Sequence, residues 1–186
     1  MQKRNGSWIV KASHLVYDDR WMEVFVDDVL VGNGGEDTFS YVKMRDGVSV
    51  VALTDADEVL LVSTHRYAAG EESVECVSGG LEPGEDALTG AKRELREELG
   101  AGSDLWTCMG AIRLFPSKLK QTETLFLARG VTVLDNASLD KGEVVSPVQV
   151  SFDTALEWVM SGKITHAASA VALLKAWRLL MREKPL

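Results

Sequence analysis

Residues 79–101, GGLEPGEDALTGAKRELREELGA, constrain this chain more than any other stretch. If the segment after Pro83-Gly84 is a helix turning about 100° per residue, Glu94, Glu97 and Glu98 fall within one arc of about 100°. Three like charges then share a face. Each close pair weakens an isolated helix by a few tenths of a kcal/mol, and burial drives carboxylates toward protonation. A hard divalent cation removes the conflict, because Mg²⁺ takes oxygen ligands and completes its shell with waters and substrate phosphates. The alternative is a solvated charged face. Leu88, Ala91, Leu95 and Leu99 recur on the other side at spacings of three and four, so that side is expected to pack on a core and hold the glutamates outward. Turn formers and acids in Glu82-Pro83-Gly84-Glu85-Asp86 suit the helix start, and Gly100 suits its C-cap. Gly90 costs about 1 kcal/mol relative to Ala inside a helix. It projects on the glutamate side, leaving room either for a bulky ligand or for close packing against a loop.

The 186 residues suit one domain of ordinary size with a small appendage, and 46% hydrophobic with 26% charged residues is the composition of a soluble globular protein. No apolar tract is long enough to span a membrane. A net charge of −8 argues against nonspecific binding to nucleic acid or to an anionic membrane, although a bound cation can make the local potential positive for a phosphate substrate. Cys76 and Cys108 are too few for a disulfide framework or a zinc site, so both are expected to be reduced. No apolar segment of signal-peptide type follows Met1-Gln2-Lys3-Arg4, and the expected location is cytoplasmic. His14, His65 and His166 lack partners at metal-ligand spacing and are read as structural or exposed.

Taken in order, Trp8–Val16, Trp21–Val31 and Phe39–Met44 read as antiparallel strands of an N-terminal subdomain spanning residues 1–45. Three strands are marginal alone, so they are expected to pack on the rest of the chain or on a second copy. Residues 46–186 form the main domain. Val48–Leu53 and Val59–Val62 are nearly continuous apolar runs, as in strands buried on both faces of a layered α/β fold. Val74–Val77 leads straight into the motif, and further strands are expected at Trp106–Leu114, Thr124–Leu134 and Val144–Phe152, the last broken by Pro147. Helices are expected over Thr154–Met160 and from Thr165 to Arg182, the latter with Val171, Leu174, Trp177 and Met181 on one face.

The pattern Gly79, five residues, Glu85, seven residues, Arg93-Glu94-Leu95, one residue, Glu97-Glu98, one residue, Gly100 resembles the Nudix box at every fixed position. Ala101 departs from the usual aliphatic residue. The resemblance implies an α/β/α sandwich with a mixed sheet, preceded by the small antiparallel N-terminal sheet. It makes Glu94, Glu97, Glu98 and the Ser78 carbonyl the ligands of Mg²⁺, with Mn²⁺ as the other candidate metal, and makes Glu97 and Glu98 catalytic. Gly79, Glu85, Arg93 and Gly100 become structural, with Glu85 and Arg93 paired off the metal arc. A patchier resemblance points to the ADP-ribose and nucleotide-sugar pyrophosphatase branch. Arg66 and Glu75 match charged positions of that branch and are substrate-binding candidates; Arg66 either clamps a diphosphate or pairs with Glu75. Phe115-Pro116-Ser117 and Glu123 match part of a substrate-contacting connection, and Ser117 is the candidate taken from it. Lys118 and Lys120 add positive charge there. Glu143 is the candidate general base, with Glu123 and Asp140 behind it. Gly162-Lys163-Ile164-Thr165-His166-Ala167 matches the branch except that His166 replaces Asp.

The implied activity is Mg²⁺-dependent hydrolysis of a nucleoside diphosphate sugar, ADP-ribose first, to a nucleoside monophosphate and a sugar phosphate. GDP-mannose, another nucleotide sugar or a dinucleotide is the alternative substrate, and a noncatalytic nucleotide-binding regulator the alternative role. The resemblance also implies a homodimer in which the N-terminal strands lend an aromatic, Tyr17, Trp21 or Tyr41, to stack on the base.

Overall fold

The computed structural model describes residues 3–32, 34–134 and 145–183. The chain divides into two compact units, Met1–Arg45 with Arg113–Thr122, and Asp46–Ile112 with Glu123–Leu186. In chain order the first unit opens with β1 (Lys3–Asn5), β2 (Trp8–Asp18), β3 (Met22–Leu30) and β4 (Glu36–Met44). The second then supplies β5 (Gly47–Leu53), β6 (Glu58–Arg66), β7 (Glu71–Glu75), β8 (Val77–Gly80), α1 (Ala87–Leu99), β9 (Ala101–Gly102) and β10 (Leu105–Ile112). β11 (Leu119–Lys120) belongs to the first unit, and β12 (Glu123–Arg129), β13 (Thr132–Val133), β14 (Val145–Ser151), α2 (Phe152–Met160) and α3 (Ala167–Glu183) complete the second.

Where three N-terminal strands are expected, the first unit is a five-stranded sheet of order β1-β2-β3-β4-β11. The fifth strand comes from the segment that reads as a plain connection in sequence: Leu119 and Lys120 pair in parallel with Val42 and Lys43. Two residues cannot signal a strand by alternation, and the pairing partner lies far back in the chain. Phe25 stacks on Tyr41 across β3 and β4 at 5.2 Å, the kind of cross-strand pair that holds a sheet register. The β2–β3 turn is closed by Asp19, whose carboxylate accepts the backbone N–H of Trp21 at 2.7 Å and of Met22 at 2.8 Å.

The second unit is built on a mixed sheet of order β10-β12-β5-β6-β14, with β7 added to β6 and β8 to β5. β5 and β12 run parallel, and the remaining pairs are antiparallel. Every residue of β5 is buried, as its unbroken apolar run predicts. Val48, Val50 and Ala52 share a core cluster with Ala91 and Leu95 of α1. α3 also packs on β5 and on β12, so the alternate side chains of β5 face it and the unit is an α/β/α arrangement. α3 presents Ala168, Ser169, Ala172, Leu173 and Ala176 inward. The stripe of Leu174, Trp177 and Met181 is exposed instead. No helix among the described residues is long and apolar enough to cross a membrane.

Candidate active site

α1 begins and ends where its sequence says. The Asp86 side chain accepts the N–H groups of Leu88 and Thr89, and Gly100 closes the helix at φ 59°, the left-handed conformation that glycine adopts most cheaply. The inward face differs from the expected one. Ala91 and Leu95 are fully buried, but Leu88 is 36% exposed, and Glu94 is only 9% exposed instead of projecting outward. The space Glu94 occupies exists because residue 79 is glycine: a Cβ there would collide with the Glu94 carboxylate. Gly90 resolves toward close packing, since its missing Cβ would meet the Leu81 side chain and then Glu85.

Arg93 is the hub of the site. Its Nε and Nη2 donate to the two oxygens of Glu85 at 3.0 and 2.9 Å, forming the expected pair, and Nη2 also reaches the Gly80 carbonyl at 3.0 Å. Nη1 then donates to Glu94 at 2.7 Å and Glu97 at 2.9 Å, so the guanidinium also bears on the acidic arc it was expected to avoid. These bonds, with Glu85 first, raise Arg93 further above its already high value and keep it charged. Among the described residues no three His, Cys, Asp or Glu side chains converge closely enough to cage a metal as they stand. Two of the three arc carboxylates are instead shared with Arg93. The donor set nonetheless fits a hard divalent cation: all donors are oxygens, and Glu94 is seated in a recess that a Cβ at residue 79 would fill.

Glu123, at the start of β12, stands 6% exposed and accepts the Ser49 hydroxyl at 2.7 Å. Burial pushes its carboxyl up to about 7, helped by the charges of Asp46 and Glu94 and opposed by the Ser49 bond. The sequence ranks Glu123 only as a reserve base, because burial at a strand entrance depends on Gly47, where a Cβ would collide with the carboxylate.

A second polar network lies at the end of β6 and β7. Arg66 takes the pairing alternative: its Nε and Nη2 donate to Glu75 at 2.8 and 2.7 Å. Glu75 is 1% exposed, so it reaches a ligand only through Arg66, whose side chain stays 43% exposed. Burial would raise Glu75, but the Arg66 bonds and the nearby His166 hold it below the usual carboxylate range. His166 is part of this network and not a bystander: Nδ1 lies 3.1 Å from Glu75 Oε2 and 2.8 Å from Ser169 Oγ. Nothing in residue spacing connects His166 with Glu75, and only the start of α3 brings them together.

Tyr17, Trp21 and Ser117 lie in the first unit. Tyr17 donates its hydroxyl to Asp19 at 3.0 Å and remains 49% exposed; Trp21 is 56% exposed with Arg20 stacked 4.7 Å from its ring. Ser117 sits exposed in the turn before β11. Ser78 lies in β8, paired with Ser49 of β5. Glu143 and Asp140 fall outside the described residues. An open cavity of about 500 Å³ runs along one flank of α1, lined by Lys92, Arg93, Arg96, Glu97 and Trp106 among others. Its cations, unremarked in the sequence because surface lysines and arginines are common, favour an anion beside the acidic arc.

A family model described as NUDIX domain matches residues 43–168. An ADP-ribose pyrophosphatase of Bacillus subtilis (strain 168) is 30% identical over 163 residues, covering 87% of this chain and 88% of that protein. A methanol dehydrogenase activator of Bacillus methanolicus is 28% identical over 159 residues, covering 85% and 86%. A crystal structure of an ADP compounds hydrolase superposes with a TM-score of 0.84 at 20% identity, over 99% of this chain and 100% of that one.

Proposed function

Because this chain belongs to the Nudix family and is a pyrophosphohydrolase of that family, we propose that it cleaves the diphosphate bridge of a nucleoside diphosphate sugar, with ADP-ribose the first substrate. The observation that carries the reading is the intact glutamate set of α1, with Glu94 seated against Gly79 and Glu97 beside it. The likeness to the ADP-ribose pyrophosphatase of Bacillus subtilis supports the choice of substrate.

Glu94, Glu97, Glu98 and the Ser78 carbonyl would hold Mg²⁺, with Mn²⁺ as the substitute. When bound, the cation supplies Lewis acidity and positive charge beside the diphosphate oxygens. The chain's own residues do the rest. Arg93 fixes the loop to the helix through Glu85 and screens the mutual repulsion of Glu94 and Glu97 until a ligand arrives. Arg66, exposed yet anchored by Glu75, orients a phosphate bidentately. The resemblance assigns the general base to Glu143, and the acidic protein works as a cytoplasmic homodimer in which Tyr17 or Trp21 stacks on the base and Ser117 meets the substrate. A second reading, activation of a dehydrogenase, is supported by the likeness to the Bacillus methanolicus protein.

The test is a panel of ADP-ribose, GDP-mannose, other nucleotide sugars and dinucleotides with Mg²⁺ or Mn²⁺, run on wild type and Glu98→Gln. ADP-ribose is expected to give AMP and a ribose phosphate. Glu98→Gln is expected to lose more than the roughly 10–100-fold that even an outer-shell partner costs, with an unchanged circular dichroism spectrum. A variant with near wild-type turnover, or a wild type inert toward the whole panel, refutes the reading.

A further inference from the structure

Lys92 and Arg96 stand four residues apart on α1, the spacing at which like charges share a side of a helix and weaken it. No residue three or four positions from either is acidic: Leu88, Thr89 and Leu95 are the other neighbours of Lys92, and Arg93, Leu99 and Gly100 those of Arg96. Among the described residues neither side chain has an ion pair or a hydrogen bond. Arg93, beside them, is in the opposite state. All five of its N–H groups are taken, by Glu85, Glu94, Glu97 and the Gly80 carbonyl. Arg93 therefore has no donor left for a ligand, and Glu97, the carboxylate on the same cavity wall, is already matched by it. The charge left over on this wall is the pair Lys92 and Arg96.

Both line the open cavity of about 500 Å³ on the flank of α1. At about 100° per residue, Thr89, Lys92, Arg93 and Arg96 span an arc of about 100°, whose centre is turned about 140° from that of Glu94, Glu97 and Glu98. The cavity thus opens on a different side of the helix from the metal arc. Trp106 of β10 also lines it, with the ring fixed in place. The indole N–H donates to the Ser103 carbonyl at 2.8 Å, and the ring meets Phe126 of the core edge-on at 6.2 Å. Half-buried and with its one donor satisfied, the ring offers a ligand aromatic surface alone. Leu134 adds an apolar wall, held by its N–H bond to the Gly100 carbonyl at 2.7 Å and by close packing on Gly102.

Two unmatched cations and a fixed aromatic ring in one cavity suit a molecule with an anionic end and a flat aromatic end. A bare phosphate leaves the ring unused, and a neutral aromatic leaves the cations unused. We infer that this flank of α1 is a second nucleotide site, separate from the glutamate arc, which takes a nucleoside monophosphate with its phosphate on Lys92 and Arg96 and its base against Trp106. The site goes beyond the diphosphate reaction and does not depend on it.

The probe is AMP, added in EDTA to the ¹⁵N-labelled chain, and the signal is the indole N–H resonance of Trp106, assigned by its loss in Trp106→Phe. Should that variant not fold, sequential assignment of the wild type identifies the resonance. It is expected to shift saturably with AMP. Lys92→Gln/Arg96→Gln alters two exposed side chains and is expected to keep the wild-type melting temperature while raising the AMP concentration at half-shift about tenfold. Adenosine and inorganic phosphate, each alone, are expected to need about tenfold more than AMP, since each meets half of the site. Arg66→Ala, which removes the phosphate contact proposed for the diphosphate site, is expected to leave the titration unchanged. An indole resonance that AMP does not move overturns the proposal, as does a half-shift unchanged in the double variant or a titration abolished by Arg66→Ala. Inorganic phosphate that matches AMP gives the ring no role and overturns it too. A chain inert toward every nucleotide sugar refutes the reading of the arc and leaves this titration as it stands.

Discussion

Two glycines decide the electrostatics at the ends of β5 and β8, because Gly47 and Gly79 each vacate the space a carboxylate fills. At Gly47 that carboxylate is Glu123, which burial, then Asp46 and Glu94, push from an ordinary value of 4.5 up to about 7. The folded state thus holds the proton more tightly than the unfolded chain. This contribution to stability is complete below pH 4.5 and is lost as pH rises toward 7, at about 1.4 kcal/mol per pH unit, so it amounts to something on the order of 3 kcal/mol in metal-free protein. Glu123→Gln keeps a partner for Ser49 and removes the charge. In EDTA, wild type is expected to lose melting temperature between pH 5 and pH 8, and the variant to lose distinctly less, becoming the more stable of the two at pH 8. Parallel pH curves would show that Glu123 is not the titrating group. The sequence names Glu123 through its resemblance to a substrate-contacting segment, but not its burial. That depends on which residue faces it across the sheet, as the His166–Glu75 contact depends on where α3 starts.

At the scale of the element, α1 is the most legible part of the chain. Turn, acidic cap, glutamate spacing and terminal glycine all lie within one short window, so local rules suffice. What they miss is depth: one arc carries Glu94, whose side chain is 12% exposed, and Glu97, whose side chain is 37% exposed, because the Glu94 carboxylate is seated against Gly79. α3 shows the opposite case. Its large apolar residues Leu174, Trp177 and Met181 make the more conspicuous stripe, yet the buried face is the one with Ala168, Ser169, Ala172 and Ala176 around a single large residue, Leu173, since small residues let a helix approach a sheet closely. Hydrophobicity scales reward size, and here packing selected small residues at four of the five buried positions. The cap of α1 gives a sharp prediction. Gly100 is at φ 59°, with its N–H bonded to Arg96 O at 2.9 Å and its carbonyl accepting Leu134 N–H at 2.7 Å. Gly100→Ala forces a Cβ into the left-handed region at about 1 kcal/mol, which for a chain of this size lowers the melting temperature by roughly 2–4 °C. Gly100→Asn, which tolerates that region better, is expected to lose less in the same melting experiment.

For the whole molecule, the first unit poses a packing problem that one chain does not solve. β5, at the centre of the second unit, is buried along its whole length, whereas the second half of β2 is exposed on both faces, with Leu15 at 51%, Val16 at 58% and Tyr17 at 49%. Trp21, at 56%, follows in the next turn. Strands normally hide one face, and an exposed apolar strand end of this kind invites a protein partner. A second copy of the chain is the occupant that the resemblance of residues 1–45 to an exchanged dimerisation segment calls for. Charge then tunes the association: each copy carries −8, so repulsion between copies is stronger at low ionic strength, and added salt should favour the dimer. Analytical ultracentrifugation at micromolar concentration is expected to show a dimer, more complete at 0.5 M than at 0.05 M NaCl. Replacing Leu15 and Val16 together by Glu is expected to yield monomer that keeps its secondary structure, because both side chains are already exposed within the chain. If Tyr17 or Trp21 of one copy serves the site of the other, that monomer also loses affinity for the nucleotide while Glu94, Glu97 and Glu98 stay in place. A wild type that sediments as a monomer at every salt concentration removes the partner and leaves these aromatics to some other ligand.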